Sequence, residues 1–188
     1  MGPRRHSGFS IIEIMISVLI VGILMMAAVP SFKTWIQNSQ IRTAGESMVN
    51  ALQTARNEAV RRNACVQAKL VDYPQTSWDV RTCPDALDPA VPPIAQRAHT
   101  EGSTNASVKS DDDLTSIAFS ALGRVVDPNP VDGSKPITRI KIRNTTMDAA
   151  DERRLTIEIP AGGSARMCDP SPNITATDPR YCLNRTDL

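Results

Sequence analysis

With 188 residues, 21 Lys and Arg and 20 Asp and Glu, the chain has a net charge of only +1, which excludes a global field that would gather nucleic acid or an acidic substrate. Aromatic residues make up 4% of it, so a core must be built mainly from Val, Ile, Leu and Ala. About 150 residues lie beyond the N-terminal apolar stretch, enough for one domain of modest core.

The first element is that apolar stretch. Arg4, Arg5 and His6 precede it, and from Phe9 to Val29 the only charged residue is Glu13. Roughly 20 apolar residues cross a bilayer as a helix. A carboxylate inserted there without a partner costs about 2.5–3.5 kcal/mol near the centre and less near the edge, so Glu13 calls for compensation. A cleaved secretory signal has an apolar region of only about 7–15 residues and a small-x-small site, whereas here Ala27-Ala28 lead into Pro30. A plain anchor fits the length and leaves "SGFSIIE" unexplained. The basic flank keeps the N-terminus cytoplasmic and places the rest of the chain across the membrane.

Past Pro30 the helical pattern resumes. Ala44, Met48, Ala51, Leu52, Ala55 and Ala59 form a narrow stripe of 3.6-residue period, with Arg42, Glu46, Arg56, Arg61 and Arg62 largely off it. One helix is expected from about Phe9 to about Asn63, kinked or loosened at Pro30. Its second half is the spine for a sheet, which makes the fold class α+β: a long helix packed on small antiparallel sheets.

The segment "CVQAKLVDYPQTSWDVRTC" reads as a hairpin. One antiparallel register sets Val66 opposite Thr82, Ala68 opposite Val80 and Leu70 opposite Trp78 on an apolar face, and Gln67 opposite Arg81 and Lys69 opposite Asp79 on the other. The same register brings Cys65 opposite Cys83, predicting that disulfide and leaving Cys168 for Cys182. Leu114 to Val126 reads as a strand, a turn near Gly123 and a short return. Ile137 to Ile142 and Arg154 to Ile159 alternate with period two, their Ile140, Ile142, Leu155, Ile157 and Ile159 facing the helix, and a last strand ends at Cys168. Pro84 to Pro93 and Gly102 to Asp113 read as loops, the latter mobile and exposed. Closing the Pro-rich tail between Cys168 and Cys182 is worth about 3 kcal/mol.

The run Gly8-Phe9-Ser10-Ile11-Ile12-Glu13, with its basic leader and apolar continuation, resembles the prepilin peptidase site of type IV pilins and type II secretion pseudopilins. The resemblance implies removal of residues 1–8 by cleavage after Gly8 and N-methylation of Phe9. It further implies a membrane or filament-core helix half over 9–30, an amphipathic half over 31–63 and a periplasmic β-rich part over 64–188. The new α-amino group of a neighbouring subunit is then the partner of the Glu13 carboxylate, each charge offsetting the other's desolvation. Without Arg4 and Arg5 the chain carries 19 basic and 20 acidic side chains. The four cysteines agree with an oxidising periplasm.

Further along, "ALQTARNEAVRRN", "SWDV", "IAFSALGRV" and a final strand ending in Cys resemble the GspH/FimT group of minor pilins and pseudopilins. From that resemblance the expected role is a FimU-like minor pilin that primes or caps a type IV pilus. The expected partners are other minor pilins, the major pilin, prepilin peptidase and, before assembly, the inner membrane. A GspH-like pseudopilin of type II secretion is the first alternative. A FimT-like DNA-binding pilin is the second; such members commonly carry a Gly-Arg-x-Arg pattern in the last strand. Here Gly163-Ser164-Ala165-Arg166 has one Arg, and Arg180 and Arg185 beyond it are balanced by Asp169, Asp178 and Asp187. Nucleic acid, met through Arg166, Arg180 and Arg185, is therefore the least favoured partner.

Catalytic signatures are missing. The chain has no G-x-S-x-G, H-E-x-x-H, P-loop or dinucleotide fingerprint, and His99 sits in a polar stretch expected to be solvated. Asp111-Asp112-Asp113 lacks the spacing and central Gly of an EF-hand loop. No C-x-x-C pair occurs, and His6 and His99 are remote from the cysteines in sequence, so no metal site, no cofactor and no enzymatic activity are expected.

Overall fold

The computed structural model describes residues 9–183, leaving Gly8 with the rest of the expected leader, and Arg185, outside the described residues. Two compact units follow one another, the first ending at Ile36 and the second beginning at Gln37.

Helix α1 spans Ile11–Arg62 and runs through Pro30 without a break. It starts two residues later than expected, because the Ser10 carbonyl already accepts the amides of Glu13 (3.1 Å) and Ile14 (3.2 Å), making Ser10 the cap. Asn63 ends it in the left-handed region at φ 49°. The Ala64 amide then returns to the Ala59 carbonyl (3.1 Å) and the Asn63 amide to Val60 (3.2 Å), a Schellman closure in which Asn takes the position usually filled by Gly.

In the second unit the apolar stripe of α1, extended by Ile41, is buried. Its small residues let β-structure approach closely. Two four-stranded antiparallel sheets share one core with it. The first, ordered β3-β2-β1-β5, contains β1 Val66–Leu70, β2 Trp78–Thr82, β3 Ala95–Arg97 and β5 Ser116–Phe119. The second, ordered β4-β6-β7-β8, contains β4 Ala106–Ser110, β6 Arg139–Asn144, β7 Leu155–Glu158 and β8 Arg166–Cys168.

The β1–β2 register is the expected one in all five pairs, and Cys65 and Cys83 close it as a disulfide with Cα atoms 5.3 Å apart. Trp78 packs inward and its indole N–H donates to Ser47 Oγ of α1 (2.8 Å). Ile140, Ile142, Ile157 and Ile159 are buried on the helix side of the second sheet. Gly45 of α1 is what permits that packing: a Cβ there would lie 2.7 Å from Met167 Sδ of β8 and 3.4 Å from Ile142 Cδ1.

One expectation about a loop is corrected. Gly102 to Asp113 is no mobile loop: β4 occupies Ala106–Ser110, paired along its length with β6, and a 3₁₀ turn follows over Asp111–Asp113. Only Ala106 and Val108 are apolar in that stretch, so its pairing with β6 supplies the order that its own composition does not. Lys69 and Asp79 sit opposite each other, yet the Asp79 carboxylate is taken by Arg81, two residues along on the same face (2.9 Å). Arg81 Nη1 also donates to the Asp88 carbonyl (3.2 Å) and to that of Val91, so it pins the Pro-rich loop after Cys83.

Candidate assembly segment and C-terminal loop

Glu13 lies in the first turn of α1, where the unsatisfied amides of the helix start favour a negative charge. Its side chain has no ion pair among the described residues, while its backbone carbonyl accepts Ser17 Oγ at 2.7 Å. The large apolar side chains around it are bare, from 49% exposed at Val21 to 83% at Met26, and Phe9 is 80% exposed. That much apolar surface does not stay in water at about 25 cal/mol per Å2; it needs lipid or neighbouring subunits. By length and composition the helix can cross a membrane.

At the other end, Cys168 of β8 and Cys182 form the second disulfide, with Cα atoms 5.1 Å apart. The enclosed loop is held further by a parallel bridge between Asp169 and Tyr181 and by buried Ile174. Of the cations expected to meet nucleic acid, Arg166 and Arg180 are engaged, while Arg185 lies outside the described residues. Arg166 binds Glu158 Oε2 (2.7 Å) and the Tyr181 carbonyl (3.1 Å); Arg180 binds Asp178 (2.9 Å), and hydrogen bonds from Arg180 hold the Asp178 carboxyl below its usual range. Glu158, Cys168 and Cys182 lie close enough together to resemble a metal ligand set, but both sulfurs are committed to the disulfide and offer no thiolate.

His99 is half-buried rather than solvated. Its amide donates to Ser77 Oγ (3.0 Å), its Nδ1 lies 3.3 Å from the same oxygen, and its carbonyl accepts Ser103 Oγ (3.0 Å). Among the described residues no carboxylate hydrogen-bonds the imidazole, and the three bonds to Ser77 and Ser103 anchor a loop. Asp111 accepts Thr138 Oγ1 (2.9 Å) and Asp113 accepts the Tyr73 hydroxyl. Burial, with that bond to Asp113, pushes the Tyr73 hydroxyl above its ordinary range.

Two arrangements escape the sequence reading. Asn38 docks the loop before β7, its Nδ2 donating to the Asp151 carbonyl (3.0 Å) and its Oδ1 accepting the Arg153 amide (2.8 Å). Arg139, Lys141 and Arg143, at i, i+2 and i+4 of β6, lie on the sheet face opposite the buried Ile140 and Ile142; the alternation that marks the two isoleucines as core marks these three as one stripe.

Residues 3–29 match the family described as Prokaryotic N-terminal methylation motif, and residues 44–163 match Type II transport protein GspH. The chain belongs to the GspH family. A GspH-family chain with this motif is a pilin-type structural subunit, which implies processing by prepilin peptidase, membrane anchoring through the N-terminal helix and assembly with other pilins. Among solved structures, two crystal forms of the Pseudomonas aeruginosa type IV minor pilin FimU are similar to it at 16% identity, with TM-scores of 0.46 and 0.45. They cover 67% and 69% of this chain, and 90% and 87% of their own.

Proposed function

We infer that this GspH-family chain is a minor pilin, a structural subunit that helps to initiate, or caps, a type IV pilus. The observation that carries the reading is the bare apolar segment of α1 with Glu13 as its one charge. Prepilin peptidase cuts between Gly8 and Phe9 and Phe9 is N-methylated. The protein first resides in the inner membrane, N-terminus cytoplasmic and β-rich part periplasmic. Residues 9–30 then pass from lipid into the filament, where Glu13 meets the α-amino group of a neighbouring subunit and both charges lose water together. Pro30 loosens the helix where 9–30 gives way to 31–63.

The disulfide-clipped C-terminal loop resembles pilus-tip members and favours the pilus. A second reading, a minor pseudopilin of type II secretion, is favoured by the description of the matching family. Deleting the gene and measuring surface pili and secreted enzymes in the same strain separates the two. Loss of pili with normal secretion, restored by the wild-type gene and not by Glu13→Val, is the expected result. Normal pili with lost secretion would overturn the pilus reading in favour of the second.

A further inference from the structure

The second sheet buries one face against α1 and turns the other outward. Pairing in that sheet sets Ser107 opposite Arg143, and Lys109 opposite Lys141 and, one strand on, Thr156. A cleft of about 600 Å3 opens on this face, lined by Lys109, Arg139, Lys141, Arg143 and Arg154, with Asp111, Asp112, Ser110 and Thr156 also among its lining residues. Five cations against two lining carboxylates give it a local positive charge, reduced where Asp111 lies 4.0 Å from Arg139 and Glu152 lies 2.8 Å from Arg154. Like charges directly opposite on adjacent strands oppose folding, and Lys109 faces Lys141. Lys109 and Arg143 form no ion pair among the described residues, whereas Arg154 is steered by Glu152 (2.8 Å).

We propose that this cleft binds an acidic saccharide, a sugar carrying a carboxylate or phosphate together with free hydroxyls. Its volume lies in the range of about 300–1,000 Å3 usual for small-ligand sites. The lysines and arginines supply charge-assisted donors for the anion. Asp111 and Asp112 supply acceptors for hydroxyl groups, a pairing that a sugar satisfies and a uniformly charged phosphodiester strand does not, since carboxylates repel it. None of the lining residues is aromatic, so the stacking platforms that hold single-stranded nucleic acid are missing. Arg166 and Arg180 are not among its lining residues, and the site goes beyond the assembly role, which it neither needs nor supplies.

Calorimetric titration of the full chain in neutral detergent tests this, with trigalacturonate and glucose 1-phosphate as probes, and maltotriose, triglutamate and a short DNA duplex as comparisons. Saturable binding of either acidic sugar is expected, with maltotriose silent; which of the two binds identifies the anion. Lys109→Glu with Arg143→Glu, both at exposed positions, should weaken it at least about tenfold. Asp112→Asn is the discriminating variant. Asn tolerates the left-handed backbone that Asp112 adopts at φ 52°, and by charge alone the change should tighten an anion. Hydroxyl recognition predicts instead a loss of about fivefold. Tighter binding by Asp112→Asn, no response to either acidic sugar, or an equal or stronger response to triglutamate or duplex DNA would each overturn the proposal.

Discussion

Replacing each cysteine pair by serine separates what the two disulfides do. They span 18 and 14 residues, so loop-closure entropy alone assigns them about 3.2 and about 3.0 kcal/mol. Their surroundings are unlike. Cys65–Cys83 continues the β1–β2 ladder, the Cys83 amide donating to the Cys65 carbonyl at 2.9 Å, and β1 is held on both sides by β2 and β5. Its loss can be expressed only through unfolding of the whole second unit, at a cost of about 2–3 kcal/mol. Cys168–Cys182 closes a loop beyond the edge strand β8 instead of joining two paired strands, so without it the loop opens locally and regains its entropy in the native state as well; the global cost falls to about 1 kcal/mol or less. Urea unfolding of the full chain in detergent, followed by the near-ultraviolet dichroism of buried Trp78, should shift its midpoint by about 1–2 M for Cys65→Ser with Cys83→Ser and much less for the other pair. Limited proteolysis should nick only the second variant, between 169 and 181. Equal shifts, or the larger one for Cys168 and Cys182, would refute the division between a sheet staple and a loop clip.

Gly163→Ala should cost about 2 kcal/mol or more, because φ is +79° there and a Cβ would stand 2.4 Å from the Gly123 carbonyl oxygen; the same urea titration reads it, and a neutral result would mean that the turn relaxes freely. Hydrogen bonds from Arg61 and then Arg62 lower the Glu58 carboxyl from 4.5 to about 2. The stabilisation is therefore complete above about pH 4.5 and fades as the pH falls towards 2, and with both arginines exposed it amounts to about 1 kcal/mol at most. The stability difference between wild type and Glu58→Gln should be present at pH 7 and vanish by about pH 2.

The hairpin is legible because three independent signals, period-two apolarity, the charged alternates and the cysteines, agree on one register. Burial of one face leaves no other choice, since a slip by one residue would expose Val66, Ala68 and Leu70. That register specifies which residues stand opposite, not which side chains meet: Asp79 finds Arg81 on its own strand before it finds Lys69. Strands β3 and β4 are illegible for a different reason. "AQR" and "ASVKS" have too little apolar area to predict a strand, and only the unpaired edges of β2 and β6 recruit them. The Arg139, Lys141 and Arg143 stripe is visible in the alternation, but the concentration of charge into a cleft requires Lys109 of β4 and Arg154 just before β7, and no local pattern reveals that those strands flank β6. Asn38 is likewise silent, its two bonds reaching residues more than a hundred positions away.

Trimming before Phe9 and entry of the apolar segment into a filament are the two central steps of the proposed function. Intact mass of this protein recovered from sheared surface filaments tests both at once. The predicted mass is that of residues 9–188 with two disulfides and one added methyl group on Phe9. Absence of the protein from the sheared fraction, or its presence with Met1 to Gly8 retained, would contradict the account.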